Sequence, residues 1–137
     1  MLQQPYLIQF DQIGSAVEGY IATTQYAEKL PFQVKRVFWT YNIPAGVVRG
    51  NHANKATQEV LVAVQGAIRV EAEWGKGQQV FLLNSPAIGL YIPPLCWTRL
   101  SFQDGAMAVC LTSTDFSEED YIRDYQEFQT HVTKAFK

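Results

Sequence analysis

A chain of 137 residues is long enough to bury one sizeable core, and 47% hydrophobic with 18% charged residues is ordinary for a folded domain, which excludes an intrinsically disordered segment. The formal net charge of −2, with no basic block, argues against a nucleic-acid partner. Met1-Leu2-Gln3-Gln4-Pro5 lacks the charged-then-apolar order of a signal peptide, and no apolar run reaches bilayer length, so a cytoplasmic protein with no membrane partner is expected.

In chain order, an apolar stretch at residues 6–10 comes first, then a run at 35–43 rich in β-branched and aromatic residues. Residues 59–64 are apolar on both faces, as in a covered strand. Gln65-Gly66 reads as a turn into 68–74, where apolar and charged residues alternate, one face for the core and one for solvent. Gly75-Lys76-Gly77 is a turn before 80–83, and further strands are expected at 88–92, 98–102 and 106–112, with Asp104-Gly105 as a hairpin turn between the last two. Ser117 followed by Glu118, Glu119 and Asp120 looks like a helix start, and Tyr121, Tyr125, Phe128, Val132 and Phe136 continue it at helical spacing. Cys96 and Cys110 fall in apolar strand segments and are expected as buried free thiols, a disulfide being the alternative. No repeat or linker divides the chain, so one all-β domain over residues 1–137, a sandwich or barrel with a C-terminal helix, is expected.

The stretch Gly46-x5-His52-x-Asn54-x4-Glu59-x6-Gly66 resembles the first motif of the cupin superfamily, with Asn54 where the motif has a second histidine. The resemblance implies a jelly-roll barrel with a pocket at these residues. Cupin metal sites use histidines and a carboxylate; here His52 and Glu59 remain, and Thr98 stands where the second motif supplies a histidine after Pro93-Pro94. An amide and a hydroxyl are poor ligands for transition metals, so no metal and no other cofactor is expected.

A narrower resemblance rests on several segments that keep their spacing. These are Lys35-Arg36-Val37-Phe38-Trp39, Arg49-Gly50-Asn51-His52-Ala53-Asn54-Lys55, Glu59-Val60-Leu61-Val62, the run from Ser85 to Pro94 with Trp97, and Asp120-Tyr121-Ile122-Arg123 with Tyr125 and Phe128. Together they are similar to the WxcM-like sugar-nucleotide cupins, whose characterised members are dTDP-4-keto-6-deoxyglucose 3,4-ketoisomerases. The resemblance implies a nucleotide-activated sugar as substrate, a homodimer in which an N-terminal segment is often exchanged, and a pair of pocket histidines that move a proton between C3 and C4. His52 matches the first histidine and Asn54 replaces the second; Glu18-Gly19 stands where the family usually has Arg-Gly.

The residue types suggest roles within that frame. His52 is the natural general base, since imidazole titrates near neutral pH. Asn54, two residues along the same strand face, cannot accept a proton but can polarise an oxygen. Tyr41 is a candidate proton carrier, and Tyr91 and Trp97 are candidate stacking surfaces, with core packing the other reading for each. Arg49 suits diphosphate oxygens or a salt bridge to Glu59, with Lys55, Glu59 and Thr98 completing the candidate binding set. Three functions stay open at this level: a metal-free 3,4-ketoisomerase in deoxysugar and cell-surface polysaccharide biosynthesis, a related sugar-nucleotide epimerase, and a non-catalytic sugar-nucleotide-binding cupin.

Overall fold

The computed structural model describes residues 2–135. Its elements are β1 (Tyr6–Gln9), β2 (Asp11–Ser15), β3 (Gly19–Thr23), β4 (Arg36–Thr40), β5 (Val48–Asn54), β6 (Glu59–Trp74), β7 (Gly77–Leu83), β8 (Ile88–Ile92), β9 (Trp97–Thr112), β10 (Tyr121–Ile122) and the helix α1 (Tyr125–Ala135). The main array runs β1-β8-β6-β9-β5-β10, with β4 joined to β9 and β7 to β6; β2 and β3 form a separate hairpin.

Register shows how this array becomes two layers. Residues 59–63 of β6 pair with β8 and with residues 108–112 of β9, and that half of β9 pairs with β4. Residues 68–74 of β6 pair with β7 and with residues 97–102 of β9, whose other neighbour is β5. Both long strands therefore bend midway and pass from one layer to the other, giving the jelly-roll sandwich the sequence implied.

The bends correct two expectations. Gln65-Gly66 and Asp104-Gly105 are not turns between separate strands; they are irregular positions inside β6 and β9, which keep pairing through Gln65 to Met107 and Ala67 to Gln103. Gly66 adopts φ +69°, and a Cβ there would meet the Ala106 Cα and the Gln103 carbonyl oxygen at 2.7 Å, so only glycine fits this crossing. Between the layers, Leu61, Ile68, Val70, Leu83 and Leu90 are almost wholly buried, each contributing about 1.5–3 kcal/mol by leaving water.

The tail is a second correction. Glu118–Asp120 form one 3-10 turn, Tyr121–Ile122 is a short strand on β5, and the helix starts only at Tyr125. Ser117 makes no capping hydrogen bond, whereas the Asp124 carboxylate accepts one from the Gln126 backbone N–H at 3.2 Å. Phe128 and Val132 then pack α1 onto Ala53, Trp97 and Ile122, as their spacing predicts. Phe136, the last member of the stripe, lies outside the described residues. Among the described residues no helix is long and apolar enough to cross a membrane.

Candidate active site

Strands β4, β5, β6 and β9, with β10 at one end, wall a cavity of about 700 Å³ between the two layers of the sandwich. Its floor is apolar, built from Phe38, Leu61, Ile92, Leu100 and Phe102, and its polar groups converge from the rim and one end. This is the usual composition of a small-molecule site.

His52 sits in this wall, next to a register shift in β5 between Gly50 and His52. Gly50, at φ +84°, allows the shift, since a Cβ there would lie 2.7 Å from the Thr98 carbonyl oxygen. The ring Nδ1 lies 3.1 Å from the Gly50 carbonyl oxygen. A carbonyl can only accept, so Nδ1 carries the proton and Nε2 keeps its lone pair for the cavity. Burial lowers the His52 pKa; the Gly50 hydrogen bond opposes this, while the positive charges of Arg123 and Arg49 add to it. The imidazole is therefore neutral and basic at neutral pH.

Glu59 lies deeper in the same cavity and is 9% exposed. Its carboxyl accepts a hydrogen bond from the Cys110 thiol at 3.4 Å and makes no ion pair among the described residues. Burial raises its pKa, with the thiol and Arg36 opposing only in part, so it retains its proton to higher pH than a solvated carboxyl. Both cysteines are free and buried. Burial first, then the nearby Glu59 charge, pushes the Cys96 thiol up to about 12, so neither reads as a nucleophile.

Three guanidinium groups face the cavity. Arg49 stands at the rim, Arg36 is held between the Phe38 and Phe116 rings at 4.6 and 5.1 Å, and Arg123 lies 4.6 Å above the Tyr121 ring. Glu118 fixes Arg123 through two hydrogen bonds of 2.6 and 3.0 Å. Arg36 and Arg49 make no ion pair among the described residues, which leaves their charge for an anionic ligand.

The candidates divide by position. His52, Arg49, Tyr41, Glu59 and Thr98 all line the cavity, Thr98 as the cross-strand partner of His52. Asn54 turns instead into a small side recess, where its amide donates to Asp120 Oδ2 at 3.0 Å. Tyr91 is outside the cavity lining: it packs with Ile8, Phe10, Val60 and Val62, its hydroxyl 2.8 Å from the side-chain oxygens of Gln3 and Gln58. Trp97 packs against Tyr125 and Phe128, beside a second cleft of about 710 Å³ on another face. Lys55 is exposed, and only its backbone N–H, bonded to the Asp120 carbonyl at 2.8 Å, ties it to the region. That second cleft is as large as the first, but its charged groups are mutually satisfied: Arg69 and Arg99 hold Glu71, and Tyr125 donates to Glu73.

Sequence reasoning missed Arg36, Tyr121 and Arg123 as cavity residues. All three were within the segments that carried the family resemblance, and a cation beside an aromatic in each was the available signal. A resident transition metal does not fit this donor set. Asn54 is committed to Asp120, Thr98 offers a hydroxyl, and among the described residues no three His, Cys, Asp or Glu side chains gather to hold an ion.

A jelly-roll barrel with one neutral histidine and three arginines around an open, largely apolar cavity defines a cupin-type site for an anionic small molecule. The family model for the C-terminal WxcM-like domain, FdtA, matches residues 3–133, and the chain belongs to that family. It is 33% identical over 117 residues to TDP-4-oxo-6-deoxy-α-D-glucose-3,4-oxoisomerase from Aneurinibacillus thermoaerophilus, covering 85% of this chain and 84% of that one. It is also similar to the crystal structure of QdtA, a sugar 3,4-ketoisomerase from Thermoanaerobacterium thermosaccharolyticum in complex with TDP, with a TM-score of 0.90, 29% identity and full coverage of both chains. A histidine-to-asparagine mutant of the same QdtA, in complex with TDP-4-keto-6-deoxyglucose, gives a TM-score of 0.90 at 28% identity over 99% of each chain.

Proposed function

We propose that the protein is a sugar-nucleotide 3,4-ketoisomerase that acts on a TDP-4-keto-6-deoxyhexose without a metal, in deoxysugar biosynthesis leading to cell-surface polysaccharide. The observation that carries this reading is His52, neutral and with Nε2 free, in a cavity rimmed by arginines. The named relatives of the family, which act as 3,4-ketoisomerases, support it. Arg36 and Arg49 supply fork-shaped donors for the diphosphate, while the apolar floor and Tyr41 at the rim take the sugar and base. His52 removes the proton from C3 as the C4 carbonyl becomes an enediol oxygen, then returns a proton at C4. Thr98, next to His52 across the strand pair, and Glu59, whose pKa burial raises, can hydrogen-bond sugar oxygens.

The test is incubation with TDP-4-keto-6-deoxyglucose in deuterated water. Formation of the 3-keto product is expected, with deuterium at C3 or C4 wherever the proton held by His52 exchanges with solvent before its return; entry at C5 alone, or binding without turnover, would reject the reading.

We also infer a homodimer in the cytoplasm, where buried free thiols such as Cys96 and Cys110 stay reduced. The β2–β3 hairpin exposes Ile13, Tyr20 and Ile21 at 56%, 59% and 63%, and β4 exposes Trp39 at 62%, apolar surface that a second copy of the chain could cover. Light scattering is expected to return twice the chain mass. A monomer mass at micromolar concentration would remove this inference.

A further inference from the structure

The isomerisation exchanges two protons, one between carbons and one between oxygens, and His52 can carry only one of them at a time. The second carrier expected at position 54 is absent, because Asn54 has no titratable group and its amide is spent on Asp120. The geometry points to Tyr121 as the second proton carrier of this site, a catalytic residue that shuttles the oxygen-bound proton between O4 and O3. This inference rests on the ketoisomerase reading above and adds a residue to it.

Four observations converge on that phenol. Tyr121 lines the same cavity as His52, and the two rings meet edge to face, with centroids 4.8 Å apart and planes at 80°. In the β5–β10 pair Tyr121 stands opposite Asn54, which places its ring diagonally across from His52, the reach expected of an aromatic on a sheet. The Arg123 guanidinium lies 4.6 Å over the ring, a fixed positive charge beside a group that must pass through its phenolate form. Tyr41, the other tyrosine of the cavity, is 54% exposed at the rim and well placed for the nucleotide end instead.

The backbone around Tyr121 is held by an unusual lock. The Asp120 carboxylate accepts hydrogen bonds from the Ala56 N–H at 2.8 Å, the Thr57 N–H at 3.2 Å, the Thr57 hydroxyl at 2.6 Å and the Asn54 amide at 3.0 Å. The Asp120 carbonyl also accepts from the Lys55 N–H at 2.8 Å. The substituted position 54 thus serves to clamp the segment that delivers Tyr121, and the phenol stands beside the place a second histidine would have filled.

The proton balance closes with these two groups. In the first half, His52 Nε2 takes the proton from C3, the C3–H electrons form the C3–C4 double bond, and the C4 carbonyl π electrons take the Tyr121 hydroxyl proton onto O4. An enediol, an imidazolium and a phenolate result. In the second half, the phenolate takes the proton from O3 and the C3 carbonyl forms. The double-bond electrons then accept the imidazolium proton at C4. Both side chains end as they began, and no other reactant is needed.

The test compares Tyr121→Phe, Tyr121→His and the parent on TDP-4-keto-6-deoxyglucose, with melting temperature and TDP affinity measured alongside. Tyr121→Phe is expected to lose on the order of 10²-fold in kcat, with TDP affinity and melting temperature little changed. Tyr121→His, which can itself carry a proton, should retain more turnover than the phenylalanine variant. An active parent matched in kcat by Tyr121→Phe overturns the assignment while leaving the ketoisomerase reading intact. Equal loss in the Phe and His variants, or loss tracked by falling TDP affinity, also overturns it by making the ring a packing element. A parent that forms no 3-keto product overturns both readings together.

Discussion

His52→Asn is expected to lower kcat by about 10²–10⁴-fold while leaving TDP binding within a few-fold. Asparagine can still donate from its side-chain nitrogen to the Gly50 carbonyl that Nδ1 now reaches at 3.1 Å, so the local geometry of β5 is preserved and only the base is removed. In the parent, burial depresses the His52 pKa below its ordinary 6.5, with Arg123 and Arg49 adding to the effect. The basic form therefore persists into mildly acidic solution, and the acid limb of kcat/KM should fall below pH 6.5. Stability has the same sign: the unfolded chain binds a proton at His52 more readily than the folded one, so stability is lost as pH falls through the unfolded value. His52→Asn should remove this contribution, making melting temperature less dependent on pH over that window. A variant with the parent's rate would show that the chemistry belongs to another residue.

How far the sequence reached depended on whether a local pattern or a distant partner decided the outcome. The alternation in residues 68–74 placed Val70 and Ala72 inside and Arg69, Glu71 and Glu73 toward solvent, which is how β6 packs. The spaced glycines, His52 and Glu59 located the cavity, because that motif encodes strand, bulge and strand together. Asp104-Gly105 misled, since the dipeptide favours a tight turn in isolation, yet pairing of β9 along β6 on both sides makes it an irregularity within one strand. The acids after Ser117 misled for a similar reason. Asp120 is spent on the 54–57 loop, 63 to 66 residues earlier in the chain, and no local signal announces such a partner. Tyr91 and Trp97 were ambiguous because period-2 patterning says that a side chain is buried without saying on which face of a two-layer sandwich. The β2–β3 hairpin went unread because its strands mix polar and apolar residues, and among the described residues its elements pair only with each other.

Asn54→His is expected to raise ketoisomerase turnover, on the order of 10²-fold if position 54 then supplies a general acid–base group. The structure gives this expectation a physical basis. The Asn54 amide nitrogen sits 3.0 Å from Asp120 Oδ2, and a histidine there can place Nδ1–H in the same bond. The lock on Asp120 would be kept, and the carboxylate would orient the ring and favour the tautomer with a basic Nε2, as in histidine–carboxylate pairs generally. Burial alone would raise the Asp120 pKa, but the hydrogen bonds from Thr57, Asn54 and the Ala56 backbone outweigh it and hold the carboxyl below its usual range, so the partner is ionised at neutral pH. Asn54→Ala is the necessary contrast. It removes one of the donors to Asp120, costs about 1 kcal/mol of stability, and offers no proton carrier, so it should not accelerate the reaction. Steady-state kinetics on the two variants decide the matter. Acceleration by histidine alone would show that the parent's rate is limited by proton transfer at this position. An unchanged kcat for Asn54→His, in a protein with the parent's stability, would mean that proton transfer is already adequately served and that the substitution at position 54 does not set the rate.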